Sequence, residues 1–160
     1  MFSLMLVIFA ACANDRGELS RQEEVAQRGD TVMPFDLERT THVFVPLDDG
    51  GRQRVSVDEP SDERQVSLVR RHLREEAKAF ASGDFSDPAE IHGHAMPGLR
   101  ELEAAYRRIE VAYSTIPAGA QIRYRSSDAS VVSALHRWFD AQLMDHGMHA
   151  EGPRSESPEG

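Results

Sequence analysis

Residues 37–57 read LERTTHVFVPLDDGGRQRVSV: a run rich in β-branched and aromatic residues, a turn signal at Asp48-Asp49-Gly50-Gly51, and a second alternating run. Asp-Gly and Gly-Gly steps supply the positive φ that a tight turn between such runs needs, so the stretch predicts a β-hairpin. The segment after it decides the fold class. Ser61 or Asp62 can cap a helix, and Val66, Val69, Leu73, Ala77 and Phe80 recur at spacings of three and four, one apolar stripe that stops at Gly83.

The same order returns downstream. After a loop and a short helix near residues 99–106, runs at 109–115 and 121–125 are joined through Pro117-Ala118-Gly119. Ile109, Val111 and Tyr113 alternate onto one face, which predicts a second hairpin. Asp128 then caps a last helix with the stripe Val131, Val132, Leu135, Trp138, Phe139 and Leu143. Val66-Ser67-Leu68-Val69-Arg70-Arg71 aligns without gaps on Val132-Ser133-Ala134-Leu135-His136-Arg137, consistent with an internal duplication. Each ββα unit owns one apolar helix stripe and one apolar sheet face. Two units therefore predict an α+β domain with a four-stranded, mainly antiparallel sheet and the helices packed on one face.

Outward from this domain, spanning residues 34–149, the composition changes. Residues 13–33 are charged with few large apolar side chains and read as a polar tether; residues 150–160 are rich in Pro, Gly, Ser and Glu and read as a disordered tail. The first eleven residues, MFSLMLVIFAA, form an uncharged apolar run with the length of a signal-peptide core and too short to cross a bilayer. Ala10 and Ala11 directly before Cys12 resemble the lipobox of bacterial lipoproteins, with Phe9 where an aliphatic residue is usual. The resemblance implies that residues 1–12 are a signal ending at the lipidated Cys12, and that the chain is anchored by lipid in the cell envelope. Ala13, with no Asp after the cysteine, fits the periplasmic side of an outer membrane.

With one Cys in 160 residues no intrachain disulfide is available, and the formal net charge of −9 opposes sequence-independent attraction to nucleic acid. The chain lacks G-x-S-x-G, H-E-x-x-H, a P-loop and G-x-G-x-x-G, which removes the familiar signatures of serine hydrolases, zinc proteases and nucleotide binders. Most distinctive are its seven histidines, four of them in two clusters with methionine. His92, His94 and Met96 lie in an irregular segment between helices, framed by glycine and proline; Met144, His146, Met148 and His149 lie where the last helix runs out. Imidazole and thioether suit copper, zinc or a similar soft or borderline ion, and an exported chain without free thiols needs such ligands. Binding at these clusters requires the two segments to meet in the fold. His42 reads as a strand residue, His72 as a boundary residue beside its helix stripe, His136 as a helix-surface partner of Asp140, and Glu75-Glu76 as a solvated helix face.

FDLERTTHVF, DDGG, VRRHLREEAKAF, GDFSDPAEIHGHAMPGL and ALHRWFDAQLMDHG together, over about residues 33–147, resemble a group of small bacterial proteins commonly labelled aspartate carbamoyltransferase. That resemblance implies a carbamoyltransferase activity as the alternative to a binding or accessory module. The nearest echo of the family's phosphate-holding loop is Arg39-Thr40-Thr41-His42. A third alternative is a structural or protein-partner module, expected to expose an apolar patch around Phe44 on the sheet face opposite the helices.

Overall fold

A computed structural model of the chain describes residues 12–147 and 150–152. The apolar run 1–11, Met148, His149 and residues 153–160 fall outside the described residues.

Both expected ββα units form. The first is β1 (Thr40–Leu47), β2 (Gly50–Val57) and helix α2 (Glu63–Ser82); the second is β3 (Glu110–Ile116), β4 (Gly119–Arg125) and α5 (Ala129–His146). Each helix starts as its sequence suggests: the Asp62 carboxylate accepts from the Gln65 amide at 3.1 Å and the Asp128 carboxylate from the Ser130 amide at 2.9 Å. α2 ends at Gly83, whose φ of 86° lets its amide turn back to the Ala79 and Phe80 carbonyls. Between the units lie α3 (Ser86–His92) and α4 (Leu99–Ala105).

The sheet has the order β3-β4-β2-β1-β5. β2 and β4 pair antiparallel from Gly50↔Arg125 to Ser56↔Gly119 and join the hairpins. The architecture is α+β as expected, but the sheet is five-stranded and mixed. Ala150–Glu151 forms a two-residue strand β5, parallel to β1 through His42↔Ala150 and Val43↔Glu151, on an edge that would otherwise present unpaired backbone groups. The folded part thus extends past residue 149, into the stretch read as tail.

The helices cross over. α2 packs mainly on β3 and β4 of the other unit, while α5 packs on β1 and β2. Their stripes meet around Trp138, where Phe80, Tyr124 and Phe139 surround the indole with centroids 5.6–5.9 Å away. Trp138, Tyr124, Phe44, Phe80 and Phe139 are at most 1% exposed, and such burial stabilises by about 1.5–3 kcal/mol per large apolar side chain. Gly98, at φ 80°, brings α4 against α5; a Cβ there would stand 2.1 Å from the Ala134 carbonyl oxygen. Phe44 faces the helices and contacts Phe139 at 5.3 Å. The open sheet face therefore does not carry the apolar patch expected around it; Val43, Val45, Arg52, Arg54 and Arg123 occupy that face.

The segment read as a tether is also ordered. Residues Cys12–Val32 form helix α1, which packs on α3 and α5. Its composition leaves it unable to fold alone, and its docking is local: Val25 is 2% exposed, and Arg21 and Gln22 bond across to α5.

Candidate functional site

At the α1 end of the layer between sheet and helices, five elements bring polar side chains around one small cavity. β1 gives His42, β2 Gln53, α2 His72 and Glu76, α3 Asp87 and His92, and α5 Gln142 and His146; Phe35, Phe44, Leu73 and Ile91 supply apolar wall. The enclosed space is about 20 Å³, the size of one water or one ion. His42, His92, His72, Gln53 and Gln142 are all buried.

Spacing gives His42 and His72 no functional part, and yet both stand here. His72, a boundary position by sequence, is 8% exposed, its ring edge-on to Phe35 at 5.5 Å. Glu76, expected on the solvated face of α2, instead lines the cavity. His72 lies three residues from Val69, and Glu76 three from Leu73 and four from Phe80, so α3, closing over that side of the stripe, carries them inside. Burial, then the Asp87 charge, raises the Glu76 carboxyl to about 8, while the Gln53 amide 3.5 Å away offers a weak opposing contact. Glu76 is therefore neutral at pH 7. Gln53 is held in turn by the Tyr124 hydroxyl, which donates to its Oε1 at 2.8 Å. Burial pushes His72 down, against Asp87 and Glu75.

Behind His92 stands an ionised carboxylate. His92 Nδ1 meets Asp145 Oδ2 at 2.9 Å, and Arg21 of α1 grips the same carboxylate with Nε at 2.8 Å and Nη2 at 2.7 Å. Arg21 Nη2 also donates to the His92 carbonyl at 2.9 Å. Burial opposes the charge on Asp145, but the His92 and Arg21 hydrogen bonds outweigh it and hold the carboxyl at about 2. An ionised carboxylate on Nδ1 makes that nitrogen the donor, so that whenever the ring is neutral the lone pair is on Nε2, the orientation found behind metal-bound and proton-accepting histidines.

His146 stands between two other imidazoles, its centroid 5.0 Å from His92 and 5.1 Å from His42. Its Nε2 meets Gln142 Oε1 at 3.1 Å. Two imidazoles on one tetrahedral ion, each nitrogen about 2.0–2.1 Å from it, place their centroids about 5 Å apart. The rings thus have the spacing of co-ligands. Among the described residues no group of three or more His, Cys, Asp or Glu side chains is placed to hold a metal ion.

One residue from each His/Met cluster reaches the cavity, His92 and His146. Of the other members that are described, none does: His94 is exposed, Met96 is 5% exposed within the apolar core, and Met144 is 70% exposed. Met144 lies two residues before His146 and so faces the other side of α5, and the turn after Gly93 sends Met96 under α4. Met148 and His149 lie outside the described residues, as does the apolar run 1–11, while Cys12 opens α1. His136 does not pair with Asp140; its Nε2 meets the Leu47 and Gly50 carbonyls at 3.0 and 2.8 Å. In the Arg39–His42 run, Arg39 pairs with Asp62, Thr41 donates to Asp58 and Thr40 caps a turn, so these side chains are committed locally.

A second cleft, of about 250 Å³, runs beneath α1 and shares His42, His146 and Asp145 with this region. Glu23, Asp30 and Glu38 line it, with no Lys or Arg. Among the described residues no helix is long and apolar enough to cross a membrane. Comparison with protein-family models, with curated proteins and with solved structures finds no match to this chain.

Proposed function

We propose that the protein is a lipid-anchored binding or accessory module of the bacterial cell envelope, and that its ligand is one soft or borderline metal ion, copper or zinc, taken up between His92, His146 and His42. The observation that carries this reading is His146 within 5.0 and 5.1 Å of the two other imidazoles, with His92 oriented by Asp145 beside an ion-sized cavity. Coordination requires His146 to exchange Gln142 for the ion, a side-chain rotation. The cleft under α1, whose charged residues are acidic, favours a cation over an anion as the species that arrives.

Calorimetric and spectroscopic titration with Cu²⁺ and Zn²⁺ tests it. One ion per chain is expected at micromolar concentration, with uptake lost in His92→Ala and His146→Ala and kept in His94→Ala. No uptake by the wild-type protein rejects the reading. The anchor is tested separately by mass spectrometry of the native protein: an intact, unacylated chain recovered from cytosol overturns the envelope placement. Carbamoyl phosphate plus aspartate, assayed on the same protein, tests the activity that the family resemblance implies.

A further inference from the structure

The sheet face turned away from the helices carries a concentration of positive charge that the chain's net charge of −9 conceals. Strand alternation puts Arg52 and Arg54 of β2 and Arg123 and Arg125 of β4 on this face, since Gly51, Gln53, Val55, Ile122 and Tyr124 point into the core. Arg52 stands directly opposite Arg123 in the β2–β4 register, and Arg54 is next along the same strand. Like charges facing each other across a strand pair weaken a sheet. Arg123 is relieved by Asp49 and by the Gly51 carbonyl, and Arg125 by Asp49 at 3.5 Å. Arg52 and Arg54 have no such relief: among the described residues neither forms an ion pair, and the Nε of each is shielded from solvent with no acceptor.

We infer that this face is a docking surface for an extended acidic peptide segment of a partner protein. Successive same-face residues of a strand lie about 6.6 Å apart, in a partner strand as in β2, so carboxylates at alternate positions of an extended peptide match the Arg52–Arg54 interval. Val43 and Val45, in register with Arg54 and Arg52, offer apolar contact to the residues beside them. Two other anionic surfaces fit less well. Among the described residues the face presents no aromatic ring on which the bases of a single-stranded nucleic acid could stack. Its large apolar side chains, Leu47 and Ile116, are half-buried and do not stand out to enter a bilayer, the one fully exposed large apolar residue among those described being Met144 on α5. At physiological salt the charge of the rest of the chain is screened beyond about 8 Å, so a bound peptide senses the arginines rather than the total.

The test is fluorescence anisotropy of a labelled peptide of alternating Glu and Val residues on the wild-type protein. Micromolar binding that weakens with added salt is expected, and Arg52→Gln with Arg54→Gln should weaken it at least about tenfold. Arg71→Gln, on the exposed side of α2, should change nothing. The inference is overturned by three results: a Gln-Val peptide that binds as well, unchanged affinity in the double variant with its circular dichroism intact, or tighter binding of single-stranded RNA or of phosphatidylglycerol vesicles than of the acidic peptide. Neither arginine touches the histidine cavity, so metal uptake and peptide binding fail or stand independently.

Discussion

One layer, between sheet and helices, is filled in two ways. Around Trp138 it holds Phe80, Tyr124 and Phe139, neighbouring ring centroids lying 5.6–6.2 Å apart. Around His146 it holds imidazoles at 5.0–5.1 Å. The same elements build both ends: α2 supplies Phe80 to one and, a turn earlier, Glu76 to the other; α5 supplies Trp138 and then His146. Nothing in the backbone demands polar groups at the second end. A buried polar group with imperfect partners costs about 1–3 kcal/mol, so the cavity lowers stability where the aromatic end raises it.

The largest effect should come from the aromatic end. Trp138→Ala removes the side chain on which both helix stripes meet and should cost about 3–5 kcal/mol, read from urea unfolding. A cost under 1 kcal/mol would erase the contrast between the two ends. At the polar end the sign reverses. The Glu76 carboxyl is neutral up to about pH 8 in the folded chain, against 4.5 when unfolded, so stability falls as pH climbs through that window. Glu76→Gln should remove the slope and raise stability by about 2 kcal/mol at pH 8, with little change at pH 4. Urea melts at the two pH values decide it.

Asp145 runs the other way. With its folded value at about 2 and its ordinary value of 3.8, its contribution is complete above pH 4 and lost as pH falls toward 2. Arg21 is partly exposed, so screening limits the effect: Asp145→Asn should cost about 1–2 kcal/mol at pH 7. Amide hydrogen exchange should report it as loosening of α1. Smallest of all, His94→Ala, on an exposed loop, should shift stability by less than about 0.5 kcal/mol; a larger shift in thermal unfolding would give His94 a structural part that its exposure denies.

The features most legible in the sequence are those carried by period. Every member of the Val66-Val69-Leu73-Ala77-Phe80 stripe is buried, and both capping aspartates accept the bonds expected of them. The cavity is legible only in part, because its residues flank a stripe rather than belong to one. His72 and Glu76 look like boundary and surface positions until α3 covers them, and that contact depends on a loop whose path no local pattern specifies. The clusters single out His92 and His146, but the thioethers beside them mislead, since neighbours in sequence face different sides of a helix. α1 leaves the weakest trace. Its docking rests on Val25 and on Arg21 reaching Asp145, a partner 124 residues away.

The crossing of the helices has a consequence for how the chain comes into being. A nascent polypeptide that has emerged only as far as Ser82 possesses α2 but not β3 or β4, the strands on which that helix chiefly lies. Its stripe has nothing adequate to cover it, and the first hairpin awaits α5. Neither half buries its stripe alone, so the two are expected to fold together once α5 has emerged.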